Sequence, residues 1–190
     1  MSDDFHVHGP HDHEIEHVSH HHAHAFANQI AVTTAILATI GALYSYMGGA
    51  TQANAMLYKN NAAIAKTEAS DQWNYYQAKS NRQNLNLLAL DLLPENKRAS
   101  YEKMARRYDQ EKEQIKSKAE KLEKDAVEWN RRSDEQMHLH HRWAQATTII
   151  QVAISMAAIS LLTRKRWLEW LMWGLSGVGI VSGVFALLAL

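Results

Sequence analysis

The sequence has no cysteine among its 190 residues. That absence excludes disulfides, thiolate metal sites, a cysteine nucleophile and a lipidated cysteine anchor. Proline is nearly as scarce: the chain has only Pro10 and Pro94, and residues 50–142 hold Pro94 and no glycine. Lys and Arg are missing from the first 24 residues, so there is no basic region of the kind that opens a cleavable signal peptide, and none is expected. Charge is missing from three long apolar runs, apart from one residue. Ile30–Met47 and Trp143–Thr163 contain no charged side chain, and Trp167–Leu190 contains only Glu169.

Each run has about the ~20 apolar residues that a helix needs to cross a bilayer. Helices of a soluble bundle carry a charged face, and these do not. The runs are therefore read as transmembrane helices over residues 28–47, 143–163 and 167–190. Mean hydropathy is mildly polar only because residues 48–142 carry 17 basic and 14 acidic side chains. No concentrated basic face with interleaved aromatics is present, so nucleic acid is not an expected partner.

In residues 48–142 Ala, Gln, Glu, Lys, Arg and Leu dominate, and all favour helix. Pro94 divides the segment into nearly equal arms, which predicts an antiparallel helical hairpin with its turn near 93–97. In the second arm Tyr101, Tyr108, Ile115, Leu122 and Trp129 recur every seventh residue, and Ala105, Lys112, Ala119 and Ala126 follow four residues after the first four. Large residues facing small ones suit close coiled-coil pairing. No Gly or Pro interrupts residues 95–163, so this arm is expected to run into the second span as one rod. The first arm joins the first span through Gly48-Gly49, which predicts a bend or hinge. Counting outward from Pro94 sets Trp73 opposite the neighbourhood of Ile115, and Leu57 opposite that of Trp129.

The first arm is less regular. Its distinctive part is a polar-aromatic girdle, in which Asp71, Trp73, Tyr75, Tyr76 and Lys79 offer either a contact site for another protein or packing inside the hairpin. The stretch Ala69–Ser80, ASDQWNYYQAKS, follows an Ala/Asn-rich arm after one span. It resembles a bacterial membrane family called domain of unknown function 4337, as does Ser160-Leu161-Leu162-Thr163-Arg164-Lys165-Arg166 before the last span. The resemblance covers nearly everything from residue 28 and implies one span, a helical hairpin and two closing spans. It implies no activity.

Small residues at four-residue spacing let helices approach closely in lipid. Gly179 and Gly183, Ala38 and Ala42, and Ala153 and Ala157 are such pairs, and a homo-oligomer is expected. Trp143, Trp167, Trp170 and Trp173 suit interfacial anchors. The basic link Arg164-Lys165-Arg166 favours the cytoplasm, which places residues 1–27 there and the hairpin on the periplasmic side of a bacterial inner membrane. Lys59, Arg131, Arg132 and Arg142 flank the spans on the hairpin side and argue the other way.

The amino-terminal tail is rich in histidine: His6, His8, His11, His13, His17, His20, His21, His22 and His24. His138, His140 and His141, before the second span, offer a second group. Imidazoles in such numbers suit Zn, Ni or Cu ions, though no cofactor is required, and a silent polar tail is the alternative. Near pH 6 the tail would also pass from net acidic to net basic. The segment His13-Glu14-Ile15-Glu16-His17 matches the H-E-x-x-H pattern of zinc proteases. Such an enzyme also needs a third ligand and a packed cleft, and this tail lacks the apolar residues to build them. No catalytic residues are assigned, and the protein is not expected to be an enzyme.

The expected fold is thus all-α: an integral membrane protein of three transmembrane helices with a long antiparallel coiled-coil hairpin between the first and second. Its expected role is a homo-oligomeric scaffold or a partner-docking assembly. Metal binding through the tail is one alternative, and an oligomeric pore lined by Gln151 or Glu169 is another.

Overall fold

A computed structural model describes the backbone of residues 12–92 and 94–188, and the side chains from residue 25 onward within them. Among the described residues there are three α-helices and no strand: α1 Asp12–Leu92, α2 Glu95–Thr163 and α3 Arg166–Leu187. All three contain a window long and apolar enough to cross a membrane.

The junctions follow from local chemistry. Pro94 stands immediately before α2, where its missing N–H removes no intrahelical bond, and its carbonyl accepts from the Lys97 N–H at 3.0 Å. The second junction is shorter. The Arg164 N–H donates to the Ser160 carbonyl at 2.8 Å, and Arg164 takes a left-handed conformation with φ 52°. A left-handed residue of this kind commonly ends a helix. Lys165 is extended, and its carbonyl accepts from the Leu168 N–H at 3.1 Å to open α3.

The bend or hinge expected at Gly48-Gly49 is not a break in the helix: helical geometry continues through both residues. Glycine within a helix costs roughly 1 kcal/mol relative to alanine, which neighbouring helix formers and tertiary contacts can offset. Gly48 allows a close approach instead, since a Cβ there would lie 3.4 Å from the Trp143 Cβ. α2 is unbroken from Glu95 to Thr163, in keeping with its lack of Gly and Pro.

The chain divides into two units. One comprises the chain through Gly49 together with Leu139–Leu190. Here Ile30 and Leu37 of α1, Ile150, Ala153 and Ala157 of α2, and Met172 of α3 are buried, in two apolar clusters. α3 turns Leu168, Met172, Ser176, Gly179, Gly183 and Ala186 inward, a stripe of mostly small residues. Buried hydroxyls are largely satisfied by their own helix: Thr33 donates to the Gln29 carbonyl at 2.9 Å, and Ser176 to the Met172 carbonyl at 2.7 Å. Among the described residues the Ser160 hydroxyl is the exception, fully buried with no hydrogen-bond partner. Most of the apolar surface faces outward. Only 22–28% of each apolar window is buried, and Val32, Ile36, Leu43, Val178, Val181 and Phe185 are exposed.

The other unit, Ala50–His138, pairs the remainder of α1 with the first part of α2. Its buried residues on α1 are Thr51, Ala55, Ala62, Ala65, Ala69 and Lys79. On α2 they are Ala105, Ile115, Ala119, Ala126 and Ser133, which include three of the alanines that follow the heptad. Partner numbers on α2 fall as those on α1 rise. Ser133 Oγ donates to the Ala55 carbonyl at 2.8 Å, Lys59 Nζ to Asn130 Oδ1 at 2.5 Å, and Gln83 Nε2 to Asp109 Oδ1 at 3.1 Å. Tyr58, not Leu57, stacks on Trp129, with ring centroids 5.6 Å apart. Leu57 is exposed because the turn of α1 that meets Trp129 presents Tyr58 to it.

Candidate functional site

The girdle on α1 separates into an inner and an outer set. Trp73 donates from Nε1 to Glu123 Oε1 at 3.1 Å, two turns beyond the neighbourhood of Ile115 that simple counting gave, because a long indole and a long carboxylate reach along the helices. Tyr76 meets Trp73 edge to face, with centroids 5.6 Å apart. Lys79 is 9% exposed. Its ammonium bonds Glu111 Oε2 at 2.5 Å and lies 5.2 Å from the ring centroids of both Tyr75 and Tyr108. Two aromatic faces and a carboxylate thus compensate the burial of this cation. Asp71 is exposed and Tyr75 is half exposed, so these two present the girdle to the outside.

Charge around the girdle is paired. The hydrogen bond to Glu111, and then that to Tyr75, hold the Lys79 ammonium above its ordinary range. Lys79, then Arg107, holds the Glu111 carboxyl below the usual carboxylate range. Lys112 and Gln83 do the same for Asp109. Nearer the far end of this unit, Arg131 and Arg132 hold Glu128 down to about 2. Arg131 also pairs with Glu135. These ion pairs fix side chains locally on a mostly solvated surface.

Of the small-residue pairs, Ala153 and Ala157 are fully buried, and Gly179 and Gly183 form the contact of α3 with its neighbours. A Cβ on Gly179 would lie 2.7 Å from Ile150 Cδ1, and one on Gly183 would overlap the ring of Tyr44. Ala38 and Ala42 lie on the exposed side of α1, and the close approach there is made by buried Gly41, which faces Ile150. Trp143 is buried against Tyr44, with centroids 5.3 Å apart, and so does not face outward as an anchor. Trp167, Trp170 and Trp173 are exposed, Gln151 is exposed on α2, and Glu169 is half-buried on α3.

Among the described residues no three His, Asp or Glu side chains gather closely enough to hold a metal ion. His140 has another partner: its Nδ1 lies 2.8 Å from the Gly48 carbonyl. A carbonyl only accepts, so Nδ1 carries the proton and Nε2 is the open nitrogen of the neutral ring. His138, His140 and His141 thus do not come together as a three-ligand group, while Nε2 of His140 stays open to a ligand. The side chains of His6, His8, His11, His13, His17, His20, His21, His22 and His24 lie outside the described residues.

Sequence reading missed the seam of α1. Its buried positions are alanine, threonine and lysine, so no large apolar heptad marks them. The available signal was the seven-, three- and four-residue spacing of alanines at 55, 62, 65 and 69.

The chain matches no curated protein and no solved structure. Residues 26–189 match the model of the family described as Domain of unknown function (DUF4337), and the chain belongs to that family.

Proposed function

We propose that this protein is a membrane-anchored scaffold that self-associates through its spans and the outer face of an antiparallel helical hairpin. The pairing order from Ala55–Ser133 to Gln83–Asp109 supports the hairpin reading. The outward apolar surface of all three spans supports insertion in lipid, which satisfies that surface without a further protein layer.

One observation carries the scaffold reading. With the α1 seam turned toward α2, its outer face still bears exposed apolar residues at both ends of a seven-residue column, Leu57 and Ile64 at one end and Leu85 and Leu92 at the other, with Asp71 and Ala78 between them, and Leu92 is 81% exposed. Leu88 and Tyr75 flank that column, and both are exposed. Apolar residues at this period are what a helix presents to another helix. Within the spans, exposed Ala38 and Ala42 offer the small-residue surface for a second chain. We place the link Arg164-Lys165-Arg166 and the tail in the cytoplasm and the hairpin on the far side of the membrane. Metal binding by the tail is a separate reading that rests on its histidines alone.

The absence of native cysteine makes the test clean. Two variants on the column, Ile64→Cys and Leu92→Cys, and Asn130→Cys as an off-column control are oxidised in lipid nanodiscs loaded at high protein-to-disc ratio. Disulfide-linked dimers are expected for Leu92→Cys and Ile64→Cys and not for Asn130→Cys. Equal crosslinking at all three positions, or a monomer by native mass measurement, would defeat the scaffold reading.

A further inference from the structure

On α3, Arg166, Glu169, Trp170 and Trp173 fall at i, i+3, i+4 and i+7, and so share one face. Together with Phe26 and Gln29 of α1 they line a cavity of about 580 Å³. All six residues belong to the same unit. The cavity opens where two apolar helices begin or end in polar sequence, beside the basic link. Its chemistry is mixed in an unusual way. One guanidinium and one carboxylate sit within a helical turn, and neither makes an ion pair with a described side chain, although the exposed i, i+3 pair of Glu128 and Arg131 does. Two indoles and a phenyl ring surround them.

We propose that this cavity binds the headgroup of a zwitterionic glycerophospholipid, with the phosphate on Arg166 and the ammonium held by Glu169 and the faces of Trp170 and Trp173. Each part matches one group of the ligand. Guanidinium binds phosphate oxygens in a fork, and the Gln29 amide supplies a further donor. An ammonium is drawn to a carboxylate and to indole faces. Residues three apart on a helix lie about 5–6 Å apart at Cβ, close enough for one headgroup to meet both charges. A phosphate alone would leave Glu169 as a repulsive neighbour, and so would an anionic headgroup. The acyl chains would run along the outward apolar surface of α3, past Val178, Val181 and Phe185. The proposal rests on the membrane reading above, and the test separates the two.

Full-length protein is reconstituted in nanodiscs of phosphatidylethanolamine and phosphatidylglycerol in equal parts, stripped with mild detergent, and its retained lipids are counted by headgroup. Wild type is expected to retain phosphatidylethanolamine over phosphatidylglycerol by roughly three- to thirty-fold, the effect of one cation–π contact and one exposed ion pair. Glu169→Gln should lower the ratio to roughly two- to five-fold, the part that the indole faces alone supply, and Arg166→Gln should lower retention of both lipids. Equal retention by wild type, or an unchanged ratio in Glu169→Gln, would overturn the proposal while leaving membrane insertion intact. Displacement of the lipid by millimolar glycerophosphoethanolamine, which lacks acyl chains, would overturn the lipid assignment. Release of the protein from membranes by carbonate would overturn both readings.

Discussion

The phenol ring of Tyr44 on α1 occupies the space that a side chain on Gly183 of α3 would fill. The same ring packs against Trp143 of α2, and its hydroxyl donates to the Ile180 carbonyl at 3.4 Å. One aromatic residue thus joins three helices, and it can do so only because residue 183 has no Cβ.

Gly183→Ala should therefore destabilise the unit that holds Tyr44, Trp143 and Gly183 by about 1–3 kcal/mol, the usual cost of overpacking. Thermal unfolding in detergent, followed by helical circular dichroism, would measure it. Tyr44→Ala in the same chain should recover part of the loss. A double-mutant cycle showing simple additivity would mean that the two residues do not meet.

On the hairpin, Ala119→Leu should be costly, again by about 1–3 kcal/mol, since Ala119 is fully buried in the seam. Leu57→Gln should change stability by less than about 0.5 kcal/mol in a monomeric preparation, because Leu57 is exposed. The order is the reverse of what hydropathy alone suggests, and thermal melts of both variants would decide it.

Acid should weaken the unit Ala50–His138. Glu111 and Glu128 are held below their ordinary value of 4.5 by Lys79 with Arg107, and by Arg131 with Arg132. A carboxylate lowered in the folded state contributes stability that is fully present above its unfolded value and is lost as pH falls through its folded value. Stability should thus decline below about pH 5 and continue falling toward about 2, where Glu128 titrates. Lys79, raised above 10.5, contributes stability that is lost only as pH rises beyond that value. Lys79→Met should flatten the acid limb, because Glu111 then keeps only Arg107. Melts of full-length protein in nanodiscs across this range would show the difference in slope.

Zinc titration of the full chain by calorimetry should give binding that disappears when residues 1–24 are removed. His138, His140 and His141 should contribute little, since no metal-holding group forms among the described residues. Retained binding in the shortened chain, abolished by His140→Ala, would contradict this expectation.

Ser160→Ala should be neutral or stabilising. The hydroxyl is buried without a partner, a burial that costs about 1–3 kcal/mol, and the methyl of alanine removes that cost. A marked loss of stability would mean that the hydroxyl has a partner in the membrane.

The inner and outer halves of the girdle show where sequence reading stops. Asp71, Trp73, Tyr75, Tyr76 and Lys79 are visible as an unusual group in the sequence, because polar and aromatic residues stand out in an alanine-rich helix. Only the packed structure sends Trp73 to Glu123 and Lys79 to Glu111 while leaving Asp71 and Tyr75 outside. Those choices depend on the rotation of α1 about its own axis, which its partner helix sets.

What the sequence determined by itself was the extent of α2 and the break before it, not the length of α1, which runs unbroken through Gly48-Gly49. Apolar run length, the absence of Gly and Pro from 95–163, and the break at Pro94 act through local backbone chemistry, so they can be read without a partner. The heptad of α2 was also legible, because large residues mark it. Tertiary structure alone decided which face of α1 is inside. Alanine, glycine and threonine line that face because they let backbones approach, while leucine and isoleucine on the hairpin arm point away from it. Small residues leave almost no trace in hydropathy, and their importance appears only when a second helix lies against them.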